Sequence, residues 1–176
     1  MKKIFSLWLI GPSAVGKTTV SRIIYNKIKK KIPNLMLLDG DKLRNLYENN
    51  LGYDKKSRSK FTSRYIRLAT WLMDHDISTI AAVNSPFEKD RVLCREKIEN
   101  YYEVYLNCSM EERIKRDKKN LYAPALRGEK KDVVDVDIPF DEPEKCDFNI
   151  NTENKEPELI AMEIIKNIEI LKMKTK

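Results

Sequence analysis

The sequence predicts an α/β fold: a parallel sheet of about five strands flanked by helices. Two observations carry that prediction. Five short apolar runs, "IFSLWLI", "NLMLLD", "STIAAV", "YEVYLN" and "DFNI", are bounded by turn residues, and several are nearly continuous, as strands buried on both faces must be. Between them lie segments with apolar residues at helical spacing. Strand and helix therefore alternate along the chain, the order that builds a doubly wound sheet.

Taken in order, the opening "MKKIFSLWLIGPS" has two lysines and an apolar stretch, superficially a short secretory signal. A glycine loop follows at once with no small-residue cleavage site, so a buried first strand is expected. Val20, Ile23, Ile24, Ile28 and Ile32 then recur on one face of the first helix. A helical stretch runs from about 58 to 75, "FEKDRVLCREKIEN" and "SMEERIKRD" supply two more, and the last helix repeats apolar residues at Ile160, Ile164, Ile168 and Leu171. Trp8 and Trp71 are expected in the core. The irregular span from Lys118 to Lys145 holds three prolines and many charges, and a loop of that length reads as a functional lid. With no internal repeat or low-complexity linker, residues 1–176 read as a single domain.

Composition narrows the function classes. Hydrophobic residues at 41% and charged residues at 35% make a globular chain with a charged surface, and no apolar run approaches the roughly 18 residues that span a membrane. The net charge of +7 suits either a nucleic-acid binder or an enzyme for anionic metabolites. The basic runs "NKIKKKI" and "LKMKTK" lie on polar sides or ends of predicted helices, which favours the enzyme and no nucleic-acid partner. Cys94, Cys108 and Cys146 are odd in number and lack metal-ligand spacing, as reduced thiols of a cytoplasmic protein would. The sole histidine, His75, has no cysteine or second histidine beside it and reads as a surface residue.

Gly11, Gly16, Lys17 and Thr18 complete the G-x-x-x-x-G-K-[ST] phosphate loop between an apolar strand and a helix, where free N–H groups and the positive helix end face an anion. ATP contacts are expected from Gly11, Ser13, Ala14, Val15, Gly16, Lys17, Thr18 and Thr19. Lys17 reaches for the β and γ phosphates and Thr18 for Mg²⁺. A guanine reader N-K-x-D is missing: the late "NK" in "NTENKEPE" has Pro157 in place of the aspartate. The second strand ends "LLDGDKLR", which puts Asp39 and Asp41 at the carboxyl edge of the sheet, where α/β ligands bind. Asp41 suits acceptance of a hydroxyl proton and Asp39 a water-mediated hold on Mg²⁺. An N-cap role for Asp41 ahead of "KLRNLYEN" is the plain alternative, and the two roles can coexist.

Seven blocks, "GPSAVGKTT", "LDGDKLR", "LGYDKKSR", "NSPFEKDR", "EVYLNC", "RDKKNLY" and "DIPFDEP", occur in the order and spacing of adenylyl-sulfate kinases, and the chain resembles that family from about residue 4 to residue 150. The resemblance implies a P-loop NTPase/kinase-like fold with a lid over about 113–140. It also implies transfer of the γ-phosphate of MgATP to the 3′-hydroxyl of a nucleotide. By position, Asp41 becomes the base, assisted by Lys17 and by Arg116, which stabilises transferred charge. Arg113 and Thr152 join the ATP side. Arg44, Arg58 and Arg64 face the acceptor's anionic group and ribose, Asn84, Ser85 and Pro86 wall its pocket, and Lys119 and Leu121 touch it from the lid.

The departures point to a different acceptor. Where the family has an acceptor-contacting asparagine this chain has Phe61, and where a lid phenylalanine in "FTGID" stacks on adenine it has Val133, within "VVDVD". Tyr53 keeps an aromatic ring. The resemblance with a rebuilt adenine clamp favours the branch that phosphorylates a CDP bearing an amide nitrogen on its terminal phosphate, the cytidine diphosphoramidate kinases of capsule synthesis. Adenylyl sulfate itself is the alternative acceptor. A non-catalytic nucleotide sensor or nucleic-acid binder is the alternative of another class, disfavoured because Lys17, Thr18 and Asp41 are kept together. Both a monomer and a homodimer fit the sequence.

Overall fold

The computed structural model describes residues 4–168. Its elements are β1 (Ser6–Ile10), α1 (Lys17–Ile28), β2 (Leu35–Asp39), α2 (Gly40–Leu46), α3 (Lys55–Asp74), β3 (Ser78–Ala82), α4 (Glu88–Lys97), β4 (Tyr101–Asn107), α5 (Met110–Arg116), α6 (Tyr122–Leu126), β5 (Phe148–Asn151) and α7 (Pro157–Asn167). Among the described residues the strands form one sheet in the order β2-β3-β1-β4-β5, every neighbouring pair parallel. Each expected strand run supplies one strand. All five residues of β1 and of β3 are buried, which explains why neither run alternates with polar residues. The polar side chains inside these strands satisfy one another: Ser6 and Thr79 hydroxyls lie 2.7 Å apart, and Trp8 Nε1 donates to Ser6 Oγ at 2.9 Å.

Successive β1 residues pack on opposite faces. Phe5, Leu7 and Leu9 join Val20, Ile24, Ile160 and Ile164 under α1 and α7, whereas Trp8 and Ile10 join Phe61, Tyr65, Ala69, Leu72 and Cys94 under α3 and α4. Each such aliphatic or aromatic side chain contributes about 1.5–3 kcal/mol on burial, so both helical layers are bound to the sheet by many separate contacts. Among the described residues no helix is long and apolar enough to cross a membrane.

Three expectations change. Trp71 is 57% exposed, not core. The buried face of α3 is set by Tyr65, Ala69 and Leu72, and a residue two positions after Ala69 falls about 200° round the helix, where Trp71 packs on His75 with ring centroids 4.7 Å apart. The N-cap of α2 is Asp39, which accepts from the amides of Asp41 (3.1 Å) and Lys42 (3.3 Å), so Asp41 is not the cap. Ile32 is buried beyond the end of α1 at Ile28, because the chain turns back onto the same core. Leu171 lies outside the described residues.

Candidate active site

The phosphate loop joins β1 to α1 and is shaped by its backbone. Gly11 has φ +142°, and a Cβ there would sit 2.2 Å from the Leu106 carbonyl, so the loop is pressed against β4 at a point only glycine permits. Gly16 is left-handed at φ +94°, and a Cβ there would meet nothing within 4 Å, because the position faces open space. Ala14 also has a positive φ of 64°, a conformation of the kind that clusters at ligand clamps. The first turn of α1 has no acidic residue and its N-cap makes no side-chain hydrogen bond, leaving its amides and dipole for an anion. Lys17 is buried and donates from Nζ to the Gly11 (2.8 Å) and Pro12 (2.5 Å) carbonyls. Burial first, then the charges of Lys119 and Arg113, pull its pKa down to about 7 against the opposing pull of Asp41 and Cys108.

At the carboxyl end of β2, which β3 separates from β1, Thr18 Oγ1 donates to Asp39 Oδ2 at 3.0 Å, and Asp39 is 7% exposed. A hydroxyl and a carboxylate side by side below the loop are the hard oxygen donors that Mg²⁺ takes, so these residues fit that ion. Asp41, two residues on in the first turn of α2, is exposed and ion-paired with Lys119 of the lid. Its charge bears on both Lys17 and Arg44, which sets the acid between the phosphate loop and the arginine-rich side.

On that side the structure gathers Arg44, Arg58, Tyr53 and Phe61. Arg44 donates from Nη1 to the Leu51 (3.0 Å) and Gly52 (3.2 Å) carbonyls, and its guanidinium lies 4.3 Å from the ring centroids of both Tyr53 and Phe61. Arg58 donates to the Asp132 carbonyl at 2.7 Å, and its Nε is buried without a partner. Burial and the charge of Arg44 bring the Arg58 pKa down to about 10. Arg64, expected beside them, instead bonds Asn50 Oδ1 at 2.6 Å and lies over Tyr47. Tyr53, expected to cover a base, covers Arg44. The Asn84 carbonyl receives the Gly11 amide at 3.3 Å and the Pro86 carbonyl the Asp141 amide at 2.8 Å. Ser85 between them has φ +44° and a buried hydroxyl without a partner.

The lid lies on the phosphate loop. Tyr122 donates its hydroxyl proton to the Ser13 carbonyl at 2.9 Å and accepts from Arg113 Nη1 at 3.4 Å. Val133, at 5% exposure, is packed with Tyr122 and Ala125, with Leu121 and Ala14 alongside. Arg113 pairs with Asp135 at 2.6 Å, and Arg116 is held by Glu112 (2.7 Å) and by Thr152 Oγ1 (3.2 Å). Val15 is fully buried and Thr19 is exposed. Sequence reasoning assigned no role to Tyr122, Asp117 or Arg91. Asp117 caps the amides of Leu121 and Tyr122, and Arg91, fully buried, holds the Ser85 and Asp141 carbonyls. The i,i+3 spacing of Glu88 and Arg91 was the one signal available for the last.

An anion cradle heads the parallel sheet, with an acid at the carboxyl edge of β2 and a cationic lid segment above, and most of the chain superimposes on a solved kinase. The Mycobacterium tuberculosis APS kinase in complex with AMPPNP and APS matches with a TM-score of 0.87 at 27% identity, over 96% of this chain and 99% of that one. The protein is thus an ATP-dependent nucleotide kinase of the P-loop class. More narrowly, the chain belongs to the adenylylsulphate kinase family, whose model matches residues 3–151. It is 40% identical over 147 residues to a cytidine diphosphoramidate kinase of Campylobacter jejuni, covering 84% of this chain and 85% of that protein. It is 37% identical over 152 residues to a probable adenylyl-sulfate kinase of Archaeoglobus fulgidus, covering 86% and 98%.

Proposed function

We propose that this enzyme moves the γ-phosphate of ATP to the 3′-hydroxyl of a cytidine diphosphate that carries an amide nitrogen on its terminal phosphate. The observation that carries the reading is the state of the two positions at which the family resemblance puts adenine recognition. Phe61 is 8% exposed beneath Arg44 and Val133 is 5% exposed inside the lid, so neither presents a polar reader or an open ring to a purine. The Campylobacter relative, named for a cytidine substrate, supports the same reading.

In this reading Lys17 leaves the Gly11 and Pro12 carbonyls for the β and γ phosphates, which the loop amides from Ser13 to Thr19 surround. Thr18 and, through water, Asp39 hold Mg²⁺, which when bound neutralises charge on the transferring phosphate. Asp41 gives up Lys119 and accepts the 3′-hydroxyl proton as that oxygen bonds to the γ-phosphorus. The bond to the β–γ bridging oxygen breaks and ADP leaves with its electron pair. Arg44 and Arg58 take the acceptor's anionic group, and Arg64 reaches it on leaving Asn50. Lys119 and Leu121 close over the acceptor against Asn84, Ser85 and Pro86. Arg113 and Arg116 hold donor charge, with Thr152 beside the adenine. The lid excludes water, the competing phosphate acceptor.

Adenylyl sulfate is the second reading, favoured by the Archaeoglobus relative and by the APS-bound structural neighbour. The deciding experiment compares adenylyl sulfate, CDP and cytidine diphosphoramidate at saturating MgATP by kcat/KM, with the new phosphate located by phosphorus NMR. A preference of about 10- to 200-fold for the cytidine acceptor is expected from the loss of polar adenine readout. Preference for adenylyl sulfate overturns the cytidine reading and leaves the kinase standing. Salt-sensitive, sequence-blind DNA binding without turnover would replace both with the binder reading.

A further inference from the structure

The substitution of Phe61 for an acceptor-contacting residue invites the reading that its ring stacks on the acceptor's base. The geometry points elsewhere. One face of the ring is covered by Arg44 at 4.3 Å, its surroundings include Tyr65 (5.2 Å, 76°) and Tyr47 (6.4 Å, 89°) at edge-on angles, and the residue is 8% exposed. Tyr65 in turn meets Trp8 of β1 edge-on at 5.7 Å. An unbroken aromatic line therefore runs from the middle of the sheet through Tyr65 and Phe61 to Arg44, which Tyr53 covers at 4.3 Å.

Arg44 needs such a hold. It is 8% exposed, and among the described residues no carboxylate lies within 4 Å of it or of Arg58. Burial lowers the Arg44 pKa and is only partly offset by Tyr53 and by Asp41, whose carboxylate lies beyond 4 Å, so no counter-ion touches the guanidinium. Two ring faces and the Leu51 and Gly52 carbonyls replace that counter-ion and fix the plane of the fork. An arginine held in one orientation before its anion arrives loses less freedom on binding.

We propose that Phe61 is a positioning residue for acceptor binding: together with Tyr53 it clamps the Arg44 guanidinium in the plane that receives the acceptor's anionic group, and it does not touch the base. The inference rests on the proposed acceptor site but not on which nucleotide fills it. The substitution at this position therefore strengthens the hold on the anion while removing a reader of the base.

The test uses F61L, which keeps apolar volume without a ring face, F61Y, which keeps the face, and Y53L at the exposed side of the clamp, where folding is not at risk. With whichever acceptor the enzyme turns over, F61L is expected to raise acceptor KM about 5- to 30-fold, the factor a desolvated cation–π contact supplies, and Y53L, at the exposed side, about 2- to 5-fold. They should leave kcat and the KM for ATP within about twofold, and F61Y should restore the acceptor KM. The double variant R44K/F61L is expected to be no weaker than R44K, because Phe61 acts only through Arg44. In ¹⁵N–¹H spectra the Arg44 Nε–H signal should lie upfield, under two ring currents, and move toward the free-arginine position in F61L and Y53L. An unchanged acceptor KM in Y53L, full additivity in R44K/F61L, or an unmoved Arg44 signal would each overturn the clamp. If no nucleotide is phosphorylated, the acceptor reading fails, and the clamp is then judged by the Arg44 signal and by CDP titration in saturating AMPPNP, where an equal Kd for wild type and Y53L overturns it.

Discussion

Lys17 is held for an anion by being denied one: its ammonium rests on two loop carbonyls while burial, Lys119 and Arg113 draw its pKa to about 7. Phosphates set against it raise that pKa again, so above pH 7 nucleotide binding must bring a proton with it, and below pH 7 it need not. Titration calorimetry at pH 8 in buffers of differing ionisation enthalpy should show uptake approaching one proton per ATP and affinity falling as pH rises from 7. K17M should show neither trend; uptake that persists in K17M assigns the proton elsewhere. The neighbouring acids divide their labour by burial. Asp39, 7% exposed, caps α2 and meets Thr18, whereas Asp41 projects from the first turn. D41N should lose on the order of 10²- to 10⁴-fold in kcat with ATP affinity retained. Its Tm should be unchanged, while D39A should lower stability by about 1 kcal/mol through the cap. A D41N variant that melts early but turns over normally would reverse these roles.

Lid and phosphate loop act as one element because Tyr122 joins them, its hydroxyl bridging the Ser13 carbonyl and Arg113. The helix that carries it, α6, spans only five residues and depends on Asp117 for its first amides, so its order comes from these contacts more than from helix propensity. Y122F leaves the Ser13 carbonyl and the Arg113 guanidinium short of a partner, at about 1–3 kcal/mol. Limited proteolysis between residues 118 and 132 should therefore quicken about 5- to 150-fold, with far smaller change in global denaturation. Equal cleavage rates for Y122F and wild type would show that the lid is held by something else.

Across the whole molecule, the β3–α4 loop, the end of the lid and the centre of β4 converge on Arg91. This fully buried arginine bonds Glu88 (2.5 Å), the Ser85 carbonyl (2.8 Å) and the Asp141 carbonyl (2.5 Å), and lies 3.9 Å from the buried Glu103 carboxylate. Burial raises the Glu103 pKa against the pull of Tyr101, Arg95 and Arg91, so this carboxylate depends on its partners to stay charged. R91L strands several of these groups at once and should cost at least about 2 kcal/mol in denaturant titration, with the backbone at Ser85 loosened as well. A loss below about 0.5 kcal/mol, the ordinary level for a surface substitution, would mean that the cluster bears little of the fold.

Local chemistry made the sheet, the phosphate loop and the two strand-end acids legible in the sequence. Strand burial writes itself as apolar runs such as "SLWLI", glycine spacing reports the backbone that Gly11 and Gly16 must adopt, and an acid at the end of "LMLLD" follows from the strand's own register. The helix over α3 was legible too, but residue type suggests a core place for Trp71 that the face buried by Tyr65, Ala69 and Leu72 denies it. Contacts between residues distant in the chain were not legible. Where Arg64 turns, that Tyr53 and Phe61 both cover Arg44, and that Tyr122 reaches Ser13 109 positions away depend on how helices and lid meet in space. A side chain's partner is chosen by packing, and a one-dimensional pattern carries the period of an element but not the identity of what lies across from it.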